Sequence, residues 1–285
     1  MLNLAPIFTG IILVVGLAVV MPSYYKSYYE PQSDEEEKSS IVTMSAEDNP
    51  EPKRTNSSAG DSSSTKSAKD SINIILVFSI NSNNSLPGWC NGLSSTLKKY
   101  NVNDGIVFIS GKLAESYPKC VTLFSSNDGI DIGSSTYNYM NLTSTQDYLV
   151  SLEQVKEGKR AVDSIAELDT KLFKAPYGST DQNIYSLLTR SGILADFSYT
   201  QQYNVYENGQ FIRYDLETYK GSVDPVRILN TISSNNMDDV NLIDFDNSIP
   251  VTQIDEFIFK LKKTDENIRF ISGSELTGLR LNAQR

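Results

Sequence analysis

The chain has 285 residues, of which 39% are hydrophobic and 10% aromatic, and this composition excludes a chain that is disordered throughout. Its formal net charge of -10 argues against nucleic acid as a partner, because an acidic surface gains nothing from the phosphate backbone. The sequence contains no histidine, so the commonest general base and transition-metal ligand is missing.

The first segment, "LAPIFTGIILVVGLAVVM", carries no charge from Leu4 to Met21 and is long enough to cross a bilayer. No small-x-small cleavage site follows it, and nearby tyrosines such as Tyr24 and Tyr28 fit an interfacial aromatic belt. We therefore predict a transmembrane anchor over residues 1–22, with a cleaved signal peptide as the alternative.

Two signals bear on which side of the membrane the rest of the chain lies. Lys26 follows the span and weakly favours a cytoplasmic location for the rest of the chain. Three Asn-x-Ser/Thr triplets, at Asn56, Asn83 and Asn141, are instead typical of secreted proteins. We expect a membrane-anchored protein with its globular domain outside the cell, although the sequence leaves the topology open.

The next segment, residues 23–70, is rich in Ser, Glu, Asp and Pro. It has too few apolar side chains to offset the entropy lost when a backbone is ordered. We predict a disordered linker that holds the following domain, residues 71–285, away from the membrane.

Apolar runs and helical stripes alternate within residues 71–285. We predict strands at 72–80, 105–110, 120–125, 171–178, 240–245 and 268–272. We predict helices at 93–100, 181–192, 223–233 and 251–264, and one that starts at a cap on Thr143 or Ser144. This alternation is typical of βαβ units, so we expect an α/β domain with a mainly parallel sheet or barrel.

The two cysteines, Cys90 and Cys120, follow no metal-ligand spacing. Outside the cell they would form one disulfide, and inside it they would be two buried thiols. The predicted export segment favours the disulfide, which would join the loops that follow the first and second strands.

Six short stretches, taken in order, resemble one family. "INIILVFSINSNN", "GIVFISGKLAESYP", "GIDIGSSTYNYMNLTS", "LFKAPYG", "VNLIDFD" and "RFISGSEL" are similar to the ordered motifs of the NodB-type polysaccharide deacetylases, the family-four carbohydrate esterases. The resemblance spans nearly all of residues 72–285. It implies a distorted (β/α) barrel of the polysaccharide deacetylase type, with its site at the carboxyl ends of the strands.

The same resemblance places side chains unsuited to the family's chemistry at the catalytic positions. The family binds a metal through one Asp and two His, and these positions hold Ile80, Ser135 and Tyr139. The general base falls on Ser79. The general-acid His falls on Asp244, and the motif Arg on Lys174. We expect neither a metal nor another cofactor.

The residues that shape the motifs are retained, namely Gly133, Leu142, Pro176, Tyr177 and Gly178. Four aromatic side chains are expected near the barrel mouth, where they could stack on sugar rings or merely pack the rim. They are Trp89, Tyr137, Tyr139 and Tyr177.

A set of carboxylates could replace the lost metal ligands. It could bind calcium or magnesium, or it could provide the acid and base of a glycosidase-like reaction. Its members would be Asp128, Asp131, Asp244 and Asp246. Asp caps turns routinely, so we favour a local structural role.

The sequence thus favours a membrane-tethered, non-catalytic domain that binds a glycan or another cell-surface partner. The alternatives are an active deacetylase with a rearranged site and a structural spacer. The alignment predicts that five positions converge in space: Ser79, Ile80, Ser135, Tyr139 and Asp244.

Overall fold

A computed structural model describes residues 71–145, 147–199, 201–234, 240–264 and 267–278. The predicted anchor and linker lie outside these residues. Within the described part of the chain, no helix has the length and apolarity needed to cross a membrane.

Ten strands form one sheet, in the order β7-β6-β5-β4-β3-β2-β1-β9-β8, with β10 also paired to β1. Their bounds are β1 (Ile72–Ile80), β2 (Gly105–Ile109), β3 (Ile130–Ser134), β4 (Leu172–Phe173), β5 (Ala195–Asp196), β6 (Gln202–Glu207), β7 (Gln210–Asp215), β8 (Glu217–Lys220), β9 (Asn241–Asp246) and β10 (Ile268–Phe270). All pairs are parallel except β5 with β6 and β6 with β7.

The sheet curves into a nearly closed α/β barrel. Gln201, just before β6, donates its backbone N–H to Thr218 Oγ1 in β8 at 3.2 Å, so the two ends of the sheet approach each other. The expectation of a distorted barrel with a mainly parallel sheet is confirmed.

Strand β1 runs through the centre of this sheet and is apolar on both faces. Ile74, Leu76 and Phe78 pack outward against the helices, whereas Ile75 and Val77 belong to the apolar cluster inside the barrel. Because side chains alternate along a strand, Ser79 continues the inward series and reaches the barrel interior at the carboxyl end of β1.

Eight α-helices lie in the described residues. They are α1 (Leu86–Lys99), α2 (Gly111–Ser116), α3 (Pro118–Ser125), α4 (Tyr148–Ala166), α5 (Gln182–Arg190), α6 (Pro225–Ser234), α7 (Val251–Thr264) and α8 (Gly273–Thr277). Most of them cover the outer face of the parallel strands.

Local predictions were wrong in four places. The strand expected over 171–178 covers only Leu172–Phe173, because Pro176–Gly178 form a 3-10 helix. Helix α1 begins at Leu86, earlier than the predicted start at Leu93.

Residues 120–125 form helix α3 rather than a strand, since Pro118 opens the helix and its apolar side chains, including Val121 and Phe124, make one buried stripe. Helix α4 begins at Tyr148, later than predicted, because Asp147 caps it by accepting from the N–H groups of Leu149 and Val150.

The hairpin β6–β7 was not predicted at all. Asn208 and Gly209 connect its strands and have φ values of 50° and 92°. This is the Asn-Gly pair that two-residue hairpin turns favour, because both central residues need positive φ.

Cys90 and Cys120 form a disulfide with their Cα atoms 5.6 Å apart. It joins α1 to α3, instead of the strand-following loops expected from the sequence, since both of these segments are helical. Both cysteines are buried in the outer apolar layer.

Candidate functional site

A cavity of about 660 Å³ opens at the carboxyl ends of the central strands. All five positions that the alignment required to converge line it, namely Ser79, Ile80, Ser135, Tyr139 and Asp244. The prediction that these positions meet is therefore confirmed.

A hydrogen-bonded ion pair forms part of the cavity lining. Lys174 Nζ donates to Asp244 Oδ1 at 2.7 Å and to Ser79 Oγ at 2.8 Å. Ser79 Oγ also lies 3.2 Å from the same carboxylate oxygen. Lys220 Nζ binds the other oxygen, Asp244 Oδ2, at 2.7 Å. Asp244 thus accepts from two ammonium groups and a hydroxyl, which come from β8, from β1 and from the residue after β4.

The strand register explains why these groups meet. Lys220 in β8 is the pairing partner of Asp244 in β9. Ser79 in β1 pairs with Asp246, two residues farther along β9. Lys174 follows β4 directly, and its backbone N–H donates to Ser134 O at 3.1 Å. Lys220 had no sequence signal, because only the pairing of β8 with β9 brings it to the site.

Burial and charge act in opposite directions on this network. The Asp244 side chain is only 9% exposed. Although burial opposes ionisation, the two lysines hold the pKa of Asp244 below its usual range. Burial lowers the pKa of Lys174, and the neighbouring Asp244 charge only partly offsets this. Lys220 is 62% exposed and joins the network from the solvent side.

Two tyrosines stand together beside this network. The rings of Tyr139 and Tyr177 meet edge to face, with centroids 5.5 Å apart, and both line the cavity. Tyr177 is 75% exposed. Both residues have positive φ, 56° and 60°, which is uncommon for a bulky side chain and points to a functional constraint.

The other two aromatic candidates lie elsewhere. Trp89 is 7% exposed and donates its Nε1–H to Ile249 O at 2.9 Å. It borders a separate cavity of about 470 Å³ beside α1 and α7. Tyr137 donates its hydroxyl to Glu115 at 2.8 Å. Neither lines the main cavity, so the expected cluster of four aromatic residues reduces to Tyr139 and Tyr177.

The proposed carboxylate set does not assemble. Asp131 lies at the start of β3, at the amino end of the strands, and accepts from the backbone N–H of Ser274. Asp128 borders a different pocket. Asp244 and Asp246 do line the main cavity, but Asp244 is held by the two lysines and Asp246 accepts from Ser248.

Sequence reasoning missed a buried carboxylate behind the wall of the cavity. Asp196, fully buried in β5, accepts from the backbone N–H of Ser198 at 3.0 Å and from Thr180 Oγ1 at 3.2 Å. Burial raises the pKa of Asp196 to about 6, although these hydrogen bonds oppose the shift. Ser198 and Tyr199 line the cavity, so Asp196 fixes that wall. The sequence signal was weak, a single Asp in "ILADFSY".

The residues at the family's metal position do not suit a metal. Ile80 has no donor atom, and the hydroxyls of Ser135 and Tyr139 are poor ligands when neutral. Burial raises the pKa of Tyr139, which disfavours a phenolate. Among the described residues, no group of three His, Cys, Asp or Glu could hold a metal ion.

Comparison with known proteins agrees with this fold. The family model "Polysaccharide deacetylase" matches residues 67–195, and no curated protein matches the chain. The peptidoglycan deacetylase PdaC from Bacillus subtilis has a similar structure, with 16% identity and a TM-score of 0.54 over 74% of this chain and 92% of that chain.

Two further similar structures come from a single protein. A CE4 family pseudoenzyme from Bacillus anthracis shares 13% identity, with a TM-score of 0.52 over 73% of this chain and 66% of its own. A mutant of it with restored enzymatic activity matches with the same identity and TM-score. The resemblance inferred from the sequence is therefore confirmed: the described domain has the fold of the NodB-type polysaccharide deacetylases, and residues 67–195 carry the match to that family.

Proposed function

We propose that this chain is a membrane-tethered protein whose deacetylase-like domain binds glycans and does not carry out the family's metal-dependent deacetylation. One observation carries the proposal. The cavity of about 660 Å³ is lined by a tyrosine pair, Tyr139 and Tyr177, while the positions of the family's base and acid are joined in the Ser79–Lys174–Asp244 network.

The loss of metal chemistry follows from the side chains. Hydrolysis of an acetamide at neutral pH needs water made nucleophilic by a bound metal. Ile80, Ser135 and Tyr139 offer no ligand set for one, and Asp244 is already compensated by Lys174 and Lys220. A pseudoenzyme with a similar fold is a precedent for loss of activity within this architecture.

Glycan binding is supported by the exposed ring of Tyr177, since aromatic faces stack on the apolar faces of sugars. PdaC, which shares this fold, is a peptidoglycan deacetylase. We therefore infer that the ligand is a polymer of N-acetylated sugars, and chito-oligosaccharides and glycan strands of peptidoglycan are the first probes.

Binding is tested on the full-length chain by titration calorimetry with chito-oligosaccharides. We expect Tyr177→Ala to weaken binding by about threefold to tenfold, the usual contribution of one aromatic contact. Phe259→Ala is the matched control, because Phe259 is an exposed aromatic residue on α7 that does not line the cavity. Absence of binding to any glycan, or an unchanged affinity in Tyr177→Ala, would contradict the proposal.

The cellular placement is a separate part of the proposal. The Cys90–Cys120 disulfide favours an oxidising compartment, and the uncharged segment at residues 4–21 favours a membrane anchor. We expect the chain to resist carbonate extraction from membranes and to be cleaved when intact cells are treated with protease. Extraction by carbonate, or protection from protease, would exclude this placement.

A further inference from the structure

Ser79 Oγ accepts a hydrogen bond from the ammonium group of Lys174 and donates one to Asp244 Oδ1 at 3.2 Å. Once Lys174 is neutral, its amine becomes an acceptor for the Ser79 proton. Lys174 Nζ lies 2.8 Å from Ser79 Oγ, within the reach required for direct proton transfer. Both side chains line the main cavity, so a ligand bound there meets the hydroxyl. A lone serine is unreactive, whereas a neutral amine at this distance could take the role that histidine has in serine hydrolases.

The charges around Lys174 allow it to give up its proton. Its ammonium group faces Asp244, Lys220 and Asp246. Because Lys220 also binds Asp244, that carboxylate keeps a cationic partner when Lys174 becomes neutral. Burial of Lys174 favours the neutral amine as well. Asp244 therefore positions Lys174 without being left as an uncompensated buried charge.

We propose that Ser79, activated by Lys174, cleaves short acyl esters on sugar hydroxyls without a metal. This activity uses the cavity of the proposed glycan-binding function and goes beyond it. Ester cleavage fits the site better than amide cleavage, since a sugar alkoxide is a far better leaving group than an amine anion, and Lys174 returns to it the proton taken from Ser79.

The reaction balances within the site. Ser79 Oγ attacks the acyl carbonyl carbon, and its proton passes to Lys174 Nζ. The bond from that carbon to the sugar oxygen breaks, Lys174 returns the proton to the departing hydroxyl, and Ser79 carries the acyl group as an ester. Water then attacks this ester, with Lys174 accepting its proton and returning it to Ser79, so that a free carboxylic acid and the intact serine are released.

Two features of the cavity suit this substrate class. Phe108, Phe197 and Leu242 give it an apolar wall that fits a short acyl chain. Ser135 Oγ is buried and has no hydrogen-bond partner among the described residues, yet Ser135 lines the same cavity. Its hydroxyl is available to donate to the carbonyl oxygen as negative charge develops there.

The test uses the full-length chain, a fluorophosphonate probe and excess EDTA, with mass spectrometry to locate the adduct. We expect labelling on Ser79 and none in Ser79→Ala. Ser95→Ala, which removes an exposed serine on α1, should label like the wild type. Lys174→Arg keeps the positive charge but cannot act as a base, and it should label about a hundredfold more slowly.

A pH series on the wild type does not depend on any variant being folded. The labelling rate should rise with pH as Lys174 deprotonates, and this rise should disappear in Lys174→Arg, whose fold is checked by circular dichroism. The wild type should also release nitrophenol from 4-nitrophenyl acetate in the presence of EDTA.

The two proposals fail separately. An unlabelled Ser79 in a chain that still binds chito-oligosaccharides through Tyr177 would overturn the nucleophile and leave glycan binding standing. A rate of labelling that does not change with pH would overturn the role of Lys174. Labelling of Ser79 without glycan binding would support the nucleophile and contradict the proposed function.

Discussion

Ser274 donates its backbone N–H to Asp131 Oδ2 at 2.6 Å, although 143 residues separate them. This contact fastens the start of α8 to the buried beginning of β3. Burial raises the pKa of Asp131 to about 6, while the hydrogen bonds from Ser274 oppose the shift. The carboxyl group that holds the last described helix therefore has its pKa raised to about 6.

The first prediction concerns pH and stability. Because the folded pKa of Asp131 lies above the unfolded value of 3.8, the folded state binds its proton more tightly. Its contribution to stability is complete below about pH 4 and is lost as the pH rises through 6. We expect the unfolding temperature to fall between pH 5 and pH 7.5, and Asp131→Asn to flatten this dependence. An unchanged slope in Asp131→Asn would contradict the assignment of this pH dependence to Asp131. Asp196→Asn is measured for comparison, because the pKa of Asp196 is also raised to about 6 and Asp196 contributes to the same slope.

The second prediction concerns the buried ion pair. Lys174→Met leaves Asp244 with only the exposed Lys220 and should lower the free energy of unfolding by about 2 kcal/mol, less than for a buried pair broken outright, because Lys220 still compensates part of the charge. Lys220→Met should cost less than about 1 kcal/mol, because its ammonium is largely solvated. Urea unfolding of both variants measures the difference. Equal losses would show that the network does not depend on Lys174.

The third prediction concerns the disulfide. Replacing Cys90 and Cys120 by alanine removes a cross-link between residues 30 positions apart, and loop entropy predicts a loss of about 3–4 kcal/mol. Urea unfolding of the double variant, beside the wild type with and without reductant, checks this. The prediction would be contradicted if the reductant left the stability of the wild type unchanged and the double variant were as stable as the wild type. The disulfide would then contribute nothing to the free energy of unfolding.

The fourth prediction rebuilds a metal site. Ile80→Asp, Ser135→His and Tyr139→His together restore one carboxylate and two imidazoles at positions that share the cavity, and this triple variant should bind one zinc ion per chain. Calorimetry and elemental analysis give the stoichiometry. The variant with both histidines but Ile80 retained should bind more weakly. Zinc binding no better than that of the wild type would mean that the three positions are too far apart.

The barrel was predictable where the signals were local. The apolar run of β1 and the glycine after α5, Gly192 with φ 77°, identify their elements without tertiary information. The prediction of a strand at residues 120–125 was wrong because their valine, leucine and phenylalanine suit either a strand or a buried helix face. Only Pro118, at the first helical turn, pointed to a helix. The Asn208-Gly209 pair is typical of a two-residue hairpin turn, so the sequence did contain a signal for the hairpin β6–β7.

The site was predictable only in part. Motif order predicted that Ser79, Ser135 and Asp244 share one cavity, because residues at or after the carboxyl ends of parallel strands meet at one end of a barrel. The contacts of Lys174 could not be inferred, since a lysine in place of the family's arginine has several directions open to it. Lys220 comes from a short strand with no motif, and its role depends on the pairing of β8 with β9. Trp89 was misplaced because α1 turns its ring into the protein.

The positive φ angles of Tyr139 and Tyr177 have a consequence for recognition. A non-glycine residue in this conformation costs on the order of 1 kcal/mol, and the fold sustains that cost at both positions before any ligand arrives. The two rings are therefore preorganised, so little conformational entropy is lost on association. Selectivity would then come from how well a sugar matches a fixed rim.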